Sequence, residues 1–334
     1  MQKIRLGMIG CGLCATTMHT PAQKELSDMF VVTNVSSRNK DKADEFARLC
    51  GSKRSCTDYH ELLADDSVDA VVVTYPFELN YEVAKHAIEA GKHVMIEKPM
   101  APTMAQAAEM VEWEKSTGLV TMIAENFRYR MAMTEAARYI GEGAIGEPRS
   151  MLYTCYGNMD RNIMWIVDSK WRLSSVGGVM LDRDVHYTAV MRMLMGEAKA
   201  AIGTWDRMRD DVGPMDTVAL HVRFENGGVG SLFDFASITN YNKREIVVVG
   251  TKGTVVLSEQ CTRLNVYNDS GLSVDEKYAT DRADSVRREY EDFHAAITQG
   301  RAIRSSFLDG YKDLQLALTP IETNDEWDKL GMIR

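Results

Sequence analysis

Near-continuous apolar runs alternate with amphipathic helical stretches through the first 125 residues, and this constrains the fold more than any other feature. The runs are KIRLGMIG (3–10), FVVTNVSS (30–37), DAVVVTY (69–75), KHVMIE (92–97) and LVTMIAE (119–125). Between them lie KDKADEFARLC (40–50) and LNYEVAKHAIEAG (79–91), the second carrying Val83, Ala84, Ala87 and Ile88 on one face before Gly91. Strands without polar alternation, each followed by a helix, are buried on both faces and belong to a parallel sheet. The expectation is a Rossmann-type α/β domain over residues 1–124.

The first strand runs straight into Gly10-x-Gly12-x-x-Ala15. A glycine at the first position makes the tight turn. The second leaves the backbone open to a pyrophosphate, and the small third residue lets helix and strand pack closely. The helix that follows offers free amide donors and the positive end of its dipole to phosphate oxygens. Gly10, Gly12 and Leu13 are therefore candidate dinucleotide-binding residues. At the end of the second strand, where an acidic residue would bind the ribose 2′-hydroxyl of NAD, the chain has Ser37 followed by Arg38. A hydroxyl and a guanidinium there suit a 2′-phosphate, so NADP is the expected cofactor and NAD the alternative. A solvated turn is the plainer account of Arg38 and Lys40.

Beyond residue 125 the rhythm changes. A helix is expected through MTEAARYIGEGAIGEP, and long strands from 198 to 270. TVALHVRF (217–224) alternates Val218, Leu220, Val222 and Phe224 with more polar neighbours, and Asn226-Gly227 then turns the chain back. Alternation plus an Asn-Gly turn signals a hairpin with one buried face. Helices near 284–299 and 307–321 close the chain. The expected second domain, residues 125–334, is α+β with a largely antiparallel open sheet.

The net charge of −9, with no basic stripe, argues against nucleic acid as a partner. No apolar run is long enough to span a bilayer, and MQKIRLGMIG lacks the order of a secretory leader. A cytoplasmic protein without membrane contact is expected. Six scattered cysteines do not form a disulfide framework in a chain of 334 residues. Cys11-x-x-Cys14 is a redox pair only on one reading; small residues at a loop-to-helix turn is the other.

The stretch AGKHVMIEKPMA (90–101) contains Glu97-Lys98-Pro99, and here the sequence resembles the glucose–fructose oxidoreductase/inositol dehydrogenase (Gfo/Idh/MocA) family. The resemblance extends through ENFRYR (125–130), GAIGEP (143–148), KWRLSSVGGVMLDRDVH (170–186), VVVGTKGTV (247–255) and EYEDFHAAITQG (289–300). It implies an NAD(P)-dependent dehydrogenase or reductase acting on a CH–OH group. The hydride would pass between nicotinamide C4 and a secondary alcohol or ketone carbon of a sugar, glycoside or cyclitol. Lys98, at the carboxyl end of a parallel strand, would bond or protonate the reacting oxygen, with Glu97 orienting it and Pro99 fixing the backbone. The family's G-G-x-x-x-D-x-G-x-H appears as Gly177-Gly178-x-x-x-Asp182-x-Asp184-x-His186. Asp182 and His186, four apart, share one helix face. The resemblance makes His186 the acid/base group at the substrate hydroxyl and Asp182 its neighbour.

Three departures bear on the substrate. Asp184 replaces the usual glycine, Ala189 stands where relatives often carry an aspartate, and the nicotinamide-bordering T-P-N-x-x-H reads Tyr75-Pro76-Phe77-Glu78-Leu79-Asn80. Tyr75 and Pro76 remain candidate cofactor contacts together with Glu97 and Lys98. Asn126, Arg128, Trp171, Arg172, Asp184 and Tyr187 are candidate contacts for a polyhydroxylated substrate. No metal cluster has credible spacing. A non-catalytic NAD(P)-binding sensor on the same fold is the alternative, disfavoured because a sensor needs no proton relay. The second sheet needs covering, so a homo-oligomer, dimer or tetramer, is expected through it.

Overall fold

The computed structural model describes residues 3–159, 170–279 and 282–324. Contacts divide the chain into two compact units: residues 1–129 with 282–312, and residues 130–281 with 313–334.

The first unit is a parallel six-stranded sheet in the order β3-β2-β1-β4-β5-β6, built from β1 (Ile4–Ile9), β2 (Phe30–Ser36), β3 (Arg54–Cys56), β4 (Ala70–Val73), β5 (His93–Glu97) and β6 (Thr121–Ala124). All five expected strands are present. The short edge strand β3 has only three residues and no apolar run to announce it. A π-helical turn (Ala15–His19) leads into α1 (Thr20–Glu25), and α2 (Lys40–Cys50), α3 (Tyr59–Leu63), α4 (Asn80–Glu89) and α5 (Met104–Thr117) follow their strands. Asn39 caps α2 by accepting from the Lys42 amide, and Gly51 ends it in the left-handed conformation, the usual start and stop for an isolated helix.

The second unit begins with α6 (Met131–Gly141) and β7 (Pro148–Tyr156), and α7 (Gly178–Met195) packs on an eight-stranded sheet. Its other strands are β8 (Ala198–Asp206), β9 (Thr217–Phe224), β10 (Val229–Phe235), β11 (Lys243–Gly250), β12 (Gly253–Ser258), β13 (Arg263–Asn268) and β14 (Gly271–Lys277). The order is β14-β13-β12-β11-β7-β10-β9-β8. Every pair is antiparallel except β7–β10, so the sheet is largely antiparallel as expected. In β9 the expected residues Val218, Leu220, Val222 and Phe224 are the buried ones, and Gly227 turns the hairpin with φ +83°. β7 lies in the middle of this sheet; the alternation Met151, Tyr153, Cys155 marks its buried face.

The helix α8 (Arg282–Gln299) belongs to the first unit. Its Val286, Tyr290 and Phe293 join Leu6, Met8, Phe30, Val72 and Met95 in one apolar core. The linear reading, with one boundary after residue 124, assigned this helix to the second domain; its buried face instead completes the first. The last described helix is α9 (Phe307–Thr323).

Candidate active site

In the first unit, Gly10 has φ +105°, and a Cβ there would sit 2.6 Å from Thr74 Oγ1, so only glycine fits. Gly12 is exposed, with nothing within 4 Å of where its Cβ would be. No internal packing demands glycine at 12; the open space beside the backbone is what a pyrophosphate needs. The residues present therefore fit a dinucleotide. Ser37 is half-buried at the end of β2, with its amide donating to Cys56 O at 3.2 Å, and Arg38 is exposed. Burial pushes the Tyr75 phenol up, while the Arg38 charge pulls it the other way. Lys40 is engaged by Asp44 and Ser55.

Lys98 stands at the carboxyl end of β5, half-buried, and the Lys98–Pro99 peptide is cis. Glu97 before it is tightly held. His19 Nε2 and Cys14 Sγ each lie 2.9 Å from Glu97 Oε1. On its other side His19 meets the Tyr290 hydroxyl at 2.9 Å, and Gln23 Nε2 donates to that hydroxyl at 2.7 Å. Burial alone raises the Glu97 carboxyl; the His19 bond and charge, the Lys98 charge and the Cys14 thiol outweigh it and hold it below the ordinary range. The wide π-helical turn carries His19 in its last position, the kind of local irregularity often met at functional sites. Nearby on α8, burial and the charges of Glu97 and Glu125 push Glu289 well above the carboxylate range.

Asn80 is fully buried at the start of α4, and its Nδ2 donates to Glu97 O at 2.5 Å and Pro99 O at 2.9 Å. It clamps the carbonyls on both sides of Lys98. Cys14, His19, Asn80 and Tyr290 were missed in the sequence. Asn80 had a signal as the last residue of the altered Tyr75–Asn80 segment, and Cys14 had one in C-x-x-C, where it was read as a redox pair or a loop-to-helix turn rather than as a partner of Glu97. Asn126 and Arg128, expected at the substrate, are buried and engaged within the first unit. Asn126 Nδ2 donates to Ser285 Oγ at 3.1 Å, and Arg128 Nη2 is 3.9 Å from Asp309 Oδ1.

In the second unit, Gly177 and Gly178 start α7 with φ +68° and +59°. A Cβ at either would strike Leu181 or Pro214 at 2.6 Å and 2.5 Å. The glycine pair thus has a steric cause. Asp182, Arg183 and His186 are the partly exposed residues between 179 and 190, as their helical spacing requires. Arg172 Nε donates to Asp182 Oδ2 at 2.9 Å and its guanidinium lies 4.3 Å from the Trp171 ring centre, so Trp171, Arg172 and Asp182 form one cluster.

Asp184 and Tyr187 lie on the opposite, buried side of α7. Tyr187 has no exposed surface; its hydroxyl meets Arg244 Nη2 at 3.0 Å and Cys155 Sγ at 3.2 Å, and its ring packs on Tyr153. Asp184 is 2 % exposed. Burial first, then the neighbouring Asp234, push its carboxyl well above the usual range, with Arg183 opposing. Arg183 itself pairs with Asp234, Nε to Oδ2 at 2.7 Å. These two candidate substrate contacts are corrected to members of the helix–sheet layer: helical geometry turns 184 and 187 away from the face that 182 and 186 share.

The C-x-x-C pair is two thiols with separate bonds. Cys11 donates to Ser36 O at 3.5 Å and is pushed up to about 12, chiefly by burial; Cys14 faces Glu97. All six cysteines are free. Among the described residues, no helix is long and apolar enough to cross a membrane.

Residues 4–125 match an oxidoreductase family with an NAD-binding Rossmann fold, and residues 133–256 match the GFO/IDH/MocA C-terminal domain. The chain superposes on the crystal structure of an oxidoreductase from Thermotoga maritima with a TM-score of 0.87, 33% identity and 97% of each chain covered. It superposes on a levoglucosan dehydrogenase in complex with NADH and levoglucosan with a TM-score of 0.86 and 26% identity, covering 97% of this chain and 98% of the other. It is 27% identical over 258 residues to the myo-inositol 2-dehydrogenase of Thermotoga maritima, covering 75% of this chain and 74% of that enzyme.

Proposed function

The chain belongs to the GFO/IDH/MocA family of NAD-binding oxidoreductases, and from that premise we propose that it interconverts a secondary alcohol and a ketone on a sugar, glycoside or cyclitol. The observation that carries this reading is the support built around Lys98: an ionised Glu97 beside it, and Asn80 fixing the carbonyls on either side. Such a held ammonium, at the carboxyl end of a parallel strand, is suited to bond the oxygen of a reacting carbon. Bound nicotinamide supplies the hydride acceptor or donor. Gly10, Gly12 and Leu13 receive the pyrophosphate, and Tyr75 and Pro76 border the cofactor. His186 takes or returns the hydroxyl proton, and Asp182, aligned by Arg172, orients the substrate. Trp171 gives an aromatic surface for a sugar ring. The cytoplasm, where reduced and oxidised nicotinamide are both at hand, is the proposed location.

The test is nicotinamide absorbance change against a panel of cyclitols, aldoses and glycosides and their keto forms. Lys98→Met should lower kcat by roughly 10²–10⁴-fold, the range for a lost proton-transfer group, while the cofactor Kd stays nearly the same. Loss of cofactor affinity alone would refute the role. For the cofactor itself, Ser37 and the exposed Arg38 support NADP. Arg38→Ala should then weaken NADP by about 10- to 100-fold, the worth of a charge-assisted bond, and leave NAD unaffected. Equal kcat/KM for the two cofactors in the parent protein would remove the preference.

A further inference from the structure

We propose that Cys14 Sγ, His19 Nε2 and Glu97 Oε1 form a binding site for a thiophilic divalent cation, zinc first among them, whose occupancy inhibits the enzyme; the inhibitory part rests on the catalytic reading of Lys98. The three ligand atoms lie within 4.8 Å of one another, and two of the separations are 2.9 Å. An ion roughly 2.0–2.3 Å from each ligand requires spacings of about 3–4 Å, so small side-chain adjustments suffice. The donor set is selective. A thiolate and an imidazole with a single carboxylate suit zinc, whereas magnesium and calcium prefer oxygen ligands throughout.

Charge balance points the same way. Thiolate and carboxylate together neutralise the two positive charges of the ion, which matters where His19 is 1% exposed and Glu97 17%. The Tyr290 hydroxyl, 2.9 Å from Nδ1 and itself bonded by Gln23, supplies the outer partner that orients a metal-bound imidazole. Cys14 caps the π-helical turn, His19 is its last residue and Glu97 ends β5, so all three sit on hydrogen-bonded secondary structure or directly beside it. Three protein ligands leave a fourth position for water. On binding, the Cys14 thiol proton goes to solvent, and the imidazole carries its proton on Nδ1, facing Tyr290. Affinity therefore rises with pH. The same event turns the Glu97 side chain, next to Lys98 at the end of β5, from its His19 and Cys14 partners to the ion, and so disturbs the strand end that positions Lys98 for turnover.

Cobalt(II) titration of the full chain, followed by absorption, tests the site without reference to activity. A thiolate-to-cobalt charge-transfer band, displaced by zinc, is expected. Cys14→Ser keeps a hydroxyl to donate to Glu97 yet has no thiolate, and should abolish the band. Tyr290→Phe should retain it with affinity weaker by about tenfold. Zinc should inhibit the parent and be reversed by a chelator, with Cys14→Ser resistant relative to its own metal-free turnover. No band, or a band that survives Cys14→Ser, overturns the site. A band lost in Cys14→Ser with turnover indifferent to zinc overturns the inhibition. Absence of turnover on every substrate leaves the spectrum to decide the site, so failure of the catalytic reading is told apart from failure of this one.

Discussion

Asp184 shows how far a residue can be read from sequence. As a departure from a motif it was conspicuous, and placing it at the substrate followed from its neighbours Asp182 and His186. The structure turns it inward against Asp234, where burial and that second carboxyl raise it well above the usual range. The native state then holds a proton that the unfolded chain releases above about pH 4. Native proton uptake exceeds that of the unfolded state between there and the raised value, so stability falls as pH rises through that window. Asp184→Asn removes the titration. Its Tm should match or exceed that of the parent at about pH 8 and vary less between about pH 5 and 8. KM should be unchanged; a large rise in KM would return the side chain to the substrate. His19 and Cys14 were illegible for a different reason, since their partner Glu97 lies 78 and 83 residues away and no local pattern links them.

Elements with a strong period were legible. Five parallel strands, the β9–β10 hairpin and helices α2 and α4 follow from apolar spacing and turn residues alone. β7 was not, because its alternation is short and its β10 partner arrives about 80 residues later in the chain. The π-helical turn was invisible as well, since no residue pattern in ATTMH marks it. The link between α4 and β5 is the element-scale feature closest to function. Asn80→Ala leaves the buried Glu97 and Pro99 carbonyls without that donor, which should destabilise the protein by about 2 kcal/mol in denaturant unfolding. It should lower kcat more than it weakens cofactor binding, because the strand end carrying Lys98 loosens. Equal effects on both would make Asn80 a general support for the domain.

At the scale of the whole molecule, the family follows from motif order and the fold from periodicity, while the division of the chain follows from neither. One face of the eight-stranded sheet carries Val229 and Val249, either side of Ser150 on adjacent strands, with Leu152 two residues along β7. These three apolar side chains are 51%, 41% and 43% exposed. An apolar row of this kind supports the proposed homo-oligomer. Light scattering after size exclusion should give a dimer or tetramer, and Leu152→Glu with Val229→Lys should shift it toward monomer. A monomeric parent at micromolar concentration would sink the idea.

The placement of α8 has a consequence for how the protein comes into being. A ribosome releases residues 1–129 well before residues 282–299 exist, and in that interval Phe30, Met8 and Leu6 lack Val286, Tyr290 and Phe293. His19 likewise waits for its tyrosine. The nascent Rossmann sheet therefore emerges with an uncovered apolar flank and an incomplete Lys98 support, closing only once the intervening second unit and residues 282–299 have been made.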